Sequence, residues 1–186
     1  MRLLRFIVGL AAIPILFMAC QSDTYYIKGE AWQLPNGSVL YLSDDIDGAG
    51  RPLDSIVVAD GRFYFQGHAA EPTVCRLYPA DSHQQGIVFF AEPGNIYIEL
   101  LPKPGSSRVS GTTINNRWQS LNDSVAKYDH SIRSIIASGS DSISPRQRFV
   151  DIERQYVSLT RLIKETALRN RDNALGRFIN NHYQGD

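Results

Sequence analysis

The chain has 186 residues, 43% hydrophobic and 10% aromatic, with 19 Lys and Arg balanced by 19 Asp and Glu. A neutral chain of this length holds one domain, or a domain and a subdomain, and lacks the basic excess that nucleic-acid binding requires. Its two cysteines, Cys20 and Cys75, form neither a C-x-x-C redox motif nor a disulfide framework.

Residues 1–20 read as a lipoprotein signal peptide. Arg2 and Arg5 lead an apolar run from Phe6 to Met18 that stops at Ala19-Cys20. A basic start, a short apolar stretch and a small residue before the cut mark a secretory signal, and the run is short for a membrane span. A cysteine at the cut is where a lipoprotein is acylated, so Cys20 is the expected lipidation site. Palmitate-type chains would then tie the protein to a membrane, each buried methylene contributing about 0.8 kcal/mol. Phe17 and Met18 stand where Leu and a small residue are commoner, so an uncleaved anchor and an ordinary secretory signal are the competing readings. The expected location is the cell envelope, at the outer membrane or its periplasmic face, with an envelope protein as a further partner.

Residues 21–24 form a polar tether, whose single Asp23 is too little for a surface-export signal. With residues 1–20 set aside 166 residues remain, with 17 basic against 19 acidic. From Gln21 to Gly111 there are 6 Lys or Arg and 11 Asp or Glu; from Thr112 to Asp186 there are 11 and 8. Either the two regions simply have different solvated faces, or they dock on each other or on a charged partner.

Residues 25–111 carry period-two patterning. Candidate strands are Tyr25 to Trp32, Val39 to Ser43, Leu53 to Ala59, Arg62 to His68, Thr73 to Tyr78, Ile87 to Ala91, Asn95 to Leu101 and Arg108 to Ser110, spaced as in an antiparallel meander. Pro35-Asn36-Gly37, Asp60-Gly61 and Pro93-Gly94-Asn95 are turn formers, and Asp60-Gly61 is the strongest hairpin signal. Cys75 lies in an alternating run and reads as a small buried apolar side chain, a reactive thiol being the lesser reading.

Residues 112–186 change to helical periodicity. Trp118, Leu121, Val125, Tyr128, Ile132 and Ile135 fall on one stripe, and Gly139 is a stop. Ser144-Pro145-Arg146-Gln147 opens a second helix with a cap, a first-position proline and a residue able to close a capping box. Its predicted stripe is Phe149, Ile152, Tyr156, Leu159, Ile163 and Ala167. A short loop makes the two an antiparallel hairpin, with pairing between subunits as the alternative. A third helix, about Asn173 to His182, should bury Leu175, Phe178 and Ile179. The expected fold class is therefore α+β: an antiparallel β-sandwich or barrel-like domain, then a helical hairpin and a short terminal helix.

Tyr26-Ile27-Lys28-Gly29, Leu34-Pro35-Asn36-Gly37, Leu53-Asp54-Ser55, Asp60-Gly61-Arg62-Phe63-Tyr64-Phe65, Glu92-Pro93-Gly94-Asn95 and Val109-Ser110-Gly111 come in an order that resembles a β-rich lipoprotein domain of unassigned function (DUF4369-like). That domain often forms the N-terminal part of membrane-anchored thiol-disulfide oxidoreductases of the TlpA type. The similarity covers about Tyr25 to Asn122, and Asn173-Ala174-Leu175-Gly176 resembles a spot in the helical linker of those proteins. The catalytic C-x-x-C of their thioredoxin-like domain has no counterpart here, so the resemblance assigns no redox residue.

No catalytic, metal or cofactor-binding residue is expected. Asp45, Asp47, Gly48 and Asp54 faintly imitate a calcium loop, but Ser43 takes the first ligand place and strands flank it, so a plain acidic loop is the expectation. His68, His83, His130 and His182 lack metal-ligand spacing, and no G-x-S-x-G elbow occurs. In Phe63-Tyr64-Phe65 the central ring must point opposite its neighbours, and Phe89 and Phe90 must face opposite ways. Either both sheet faces are covered, or an aromatic patch stays open for a glycan or protein. The functional expectation is a non-catalytic binding or positioning lipoprotein, with an accessory or truncated oxidoreductase and a surface glycan binder as alternatives.

Overall fold

The computed structural model describes residues 23–46, 51–82, 85–138 and 144–183. Cys20, Asp47, Gly48, His83 and Gly139 lie outside the described residues. Eight strands precede three helices: β1 Thr24–Glu30, β2 Val39–Ser43, β3 Asp54–Val57, β4 Arg62–His68, β5 Thr73–Pro79, β6 Ile87–Ala91, β7 Gly94–Glu99, β8 Arg108–Ser110, α1 Thr113–Ala137, α2 Pro145–Arg169 and α3 Ala174–Tyr183. The α+β expectation holds: two mostly antiparallel sheets are followed by helices, with no closed barrel.

The chain shuttles between sheets instead of meandering through one. The first sheet has the order β4-β1-β7-β8 and the second β3-β2-β5-β6. β1 pairs antiparallel with β4 and parallel with β7, a partnership that strand patterning alone does not reveal. The Asp60-Gly61 turn forms, with φ of 50° and 69° at its two central residues. Both values are positive, as a type I′ turn requires. Its hairpin, however, is a single bridge between Ala59 and Arg62. Before it, Val58 remains hydrogen-bonded to Ser38 and Gly37 beside β2; after it, β4 pairs with β1 along its whole length. The two turns that the sequence marks also clasp each other, since the Asp60 amide donates to Asn36 Oδ1 at 2.6 Å and Asn36 Nδ2 donates to Asp60.

One core lies between the sheets, built from Ile27, Leu40, Leu77, Phe89 and Ile96, all fully buried. Each such side chain contributes about 1.5–3 kcal/mol by leaving water. Two glycines of β1 and β4 exist because rings lie on them: Tyr25 covers its cross-strand partner Gly67, and Phe63 covers Gly29. A Cβ at either position would overlap the ring.

On its other face the second sheet carries helices over β5 and β6. Phe90 meets Trp118 and Phe178 edge-on at 6.2 and 5.9 Å between ring centres, and Trp118 meets Phe178 at 5.3 Å. Phe89 faces the core between the sheets, so the two neighbouring rings do point opposite ways. The start of α1 lies beside the end of α2, where Arg117 donates to Asn170 Oδ1 at 2.9 Å, which makes the pair antiparallel. α3 buries Leu175, Phe178 and Ile179 as its pattern predicts. Asn173 Oδ1 accepts from the amides of Leu175 and Gly176, and a side chain at Gly176 would strike the Asn170 carbonyl.

The predicted stripe of α2 is corrected. Ile152, Leu159, Ile163 and Ala167 do face inward, but Phe149 and Tyr156 are 69% and 54% exposed. The inward face is rotated toward Arg148, Gln155 and Leu162. α2 carries two apolar stripes, and its spacing alone does not say which one meets α1. Ser144 caps α2 by accepting from the Gln147 amide, while the Gln147 side chain turns to Asp151 instead of closing the box.

Candidate binding face

The outer face of the first sheet is the open one. Alternation along β1, β4 and β7 sends Tyr25, Ile27, Phe63, Ile96 and Ile98 inward and leaves Lys28, Glu30, Arg62, Tyr64, Tyr97 and Glu99 outside. Tyr64 thus lies opposite Phe63 and Phe65, as its position requires. Because β1 sits between β4 and β7, the register sets these side chains in rows across the strands. One row runs Arg62, Glu30, Glu99, Arg108; the next runs Tyr64, Lys28, Tyr97, Ser110; a third holds Gln66, Tyr26 and Asn95. The Tyr26 ring stacks on Tyr64 with centres 6.4 Å apart.

The rim of this face is tied down at both ends. Beyond β1, Trp32 is 61% exposed, covers Gly61, donates its indole N–H to Glu30 at 3.0 Å and carries the Arg62 guanidinium 5.4 Å from its ring centre. At the other end Arg108 forks onto Asp123 of α1 at 3.0 and 2.9 Å, which holds that carboxyl below the usual carboxylate range. Gln119 accepts from the Val109 amide and donates to Asp123, so α1 closes the edge of β8. Between the ends is an open groove of about 1020 Å³, with Tyr64 55% and Tyr97 47% exposed along it.

The residues that the sequence singled out are scattered. Cys20 and half of the acidic loop lie outside the described residues. Within that loop Ser43 is buried and its hydroxyl is spent on the Asp45 backbone, while Asp54 accepts from the Ser55 amide. His68 lies near Asp23 and Thr24, and His182 stacks on Phe178. Among the described residues no three His, Cys, Asp or Glu side chains are grouped to hold a metal ion. Cys75 is buried opposite Phe89, and burial pushes its thiol up to about 11. The Arg108–Asp123 pair that joins the two regions runs against their net charges, a base of the acidic region meeting an acid of the basic one.

A buried polar cluster escaped the sequence. The Asn115 side chain, fully buried, stands where a strand neighbouring β6 would be: its Oδ1 accepts from the Phe90 amide and its Nδ2 donates to the Phe90 carbonyl, both at 2.8 Å. The Trp118 indole donates to the Val88 carbonyl at 2.8 Å. Glu92 accepts from the amides of Ile114 and Asn115, capping α1 from a distant strand end. Helix α1 therefore seals the outer edge of the second sheet with side chains.

No helix among the described residues is long and apolar enough to cross a membrane. No curated protein matches the chain. Residues 25–118, just over half of the sequence, match the family profile described as a domain of unknown function (DUF4369). The match runs past Gly111 as far as Trp118, through the turns of α1 that complete the second sheet. A strand domain in which β6 needs Asn115 and Trp118 for its edge is thus the unit that the profile covers, and the chain belongs to the DUF4369 family.

Proposed function

We propose that the protein is a lipid-anchored envelope protein that binds or positions a partner without catalysis, through the outer face of its first sheet. The observation that carries this reading is the row Tyr64, Lys28, Tyr97, left open while helices cover the outer side of β5 and β6 in the second sheet. The anchor is Cys20, whose thiol is acylated before the signal is cut after Ala19, at the outer membrane or its periplasmic face. Support for it comes from the signal-like residues 1–20 and from the short interval before β1 opens at Thr24. Four residue steps reach at most about 14 Å, so an acylated Cys20 would hold the domain against its membrane.

Metabolic labelling with an alkynyl palmitate tests the anchor. The wild-type chain is expected to take up the label and sediment with membranes, and Cys20→Ala to do neither; equal labelling of both would refute it. Cys75 gives the accessory-oxidoreductase reading no reactive thiol of its own to rest on: it is buried, protonated at neutral pH and set among core side chains.

A further inference from the structure

We infer that the groove across the first sheet binds a neutral polysaccharide chain, an inference that rests on the proposed role of that face. The first argument is the balance of charge. Lys28, Arg62 and Arg108 line the groove with Glu30 and Glu99, and Arg108 is already paired with Asp123 of α1 beside it. A groove whose charges so nearly cancel has little field to gather a polyanion, a polycation or an anionic lipid surface. It does offer donors and acceptors side by side, which is what the vicinal hydroxyls of a sugar need.

The second argument is the placement of the rings. Tyr64 and Tyr97 flank Lys28 on the two neighbouring strands. Two strand spacings separate them by about 9.5 Å at the backbone, the scale of a disaccharide. Tyrosine gives a sugar an apolar face for its C–H bonds and a hydroxyl at the edge. A protein partner would favour a groove centre depleted of charge; here the centre is Lys28, directly between the two rings.

The groove lies along the far half of β1, from Lys28 onward, about 13 Å along the strand from its first residue Thr24.

Affinity electrophoresis of the full mature lipoprotein in mild detergent tests this, through gels cast with an α-glucan, a β-glucan, a mannan or an arabinoxylan, and with polygalacturonate as the charged control. Retardation by at least one neutral polymer is expected. Tyr64→Ala combined with Tyr97→Ala should weaken it tenfold or more with an unchanged urea transition, and Phe149→Ser combined with Tyr156→Ser on α2 should leave it intact. No retardation in any neutral gel, retardation indifferent to the tyrosines, or retention by polygalacturonate alone would overturn the inference. A photo-crosslinker at position 64 separates this from the broader reading. A discrete protein adduct would discard the polysaccharide and keep the face; neither adduct nor retardation would discard both.

Discussion

Replacing Trp118 with Ala is expected to lower the unfolding free energy by about 3–5 kcal/mol, the usual cost of deleting a large buried aromatic. Trp118 is buried between sheet and helix, with Phe90, Phe178 and Tyr183 edge-on around it. The truncation opens a cavity among these rings and leaves the Val88 carbonyl without its indole donor. Trp118→Phe separates the two contributions: it keeps most of the packing and loses the hydrogen bond, which is worth about 0.5–1.5 kcal/mol. Urea denaturation measures both. Fluorescence gives an independent reading, because the other tryptophan, Trp32, is largely exposed, so Trp118→Ala should shift native emission toward that of a solvated indole. A cost under 1 kcal/mol would mean that α1 and α3 do not cover the second sheet.

Asn115→Ala is the second large effect. It strips partners from both the amide and the carbonyl of Phe90 in a fully buried position. Each orphaned group costs about 1–3 kcal/mol, so a total of about 3 kcal/mol or more is expected. Asn115→Asp is the sharper probe. Its carboxylate can accept from the Phe90 amide but has nothing to donate to the Phe90 carbonyl or to Thr112 Oγ1, both of which Asn115 Nδ2 serves. Protonation restores a donor, so the folded state should bind this proton more tightly than the unfolded chain. Stability relative to the native sequence should then recover as pH falls toward 4 and worsen toward 7. A pH-independent deficit in paired denaturation curves would show that the bidentate contact with Phe90 is not what the variant disturbs.

Elements were legible in the sequence where their cause is local. All eight strands and three helices follow from period-two and period-3.6 patterns, the I′ turn from Asp60-Gly61 and the α2 cap from Ser144. What escaped was decided between elements. No local pattern says that Val58 stays with β2 while Arg62 crosses to β1, or that β1 and β7 run parallel. Phe149 and Tyr156 looked as fit for the core as Leu159 does, because both stripes of α2 are apolar and only the position of α1 chooses between them. Asn115 and Glu92 carry no local pattern that marks them for burial; their one faint signal is a polar pair bracketing the last strands and the first helical turn.

The candidate face was half legible. Alternation alone sends Lys28, Tyr64 and Tyr97 to the side opposite Ile27, Phe63 and Ile96. Their assembly into one row needed the order β4-β1-β7, which comes from pairings of strands far apart in the chain.

The central claim, that this face is the working surface of an envelope-tethered module, is tested most directly by site-specific photo-crosslinking in intact cells. A benzophenone amino acid replaces Tyr64 or Tyr97 in one set of strains, and Tyr156 on the outer side of α2 in a control. Light-dependent adducts, whether a discrete band or a polysaccharide ladder, are predicted from positions 64 and 97, absent from position 156 and lost when Cys20→Ala releases the protein from its membrane. Adducts no more abundant at 64 and 97 than at 156 would contradict it.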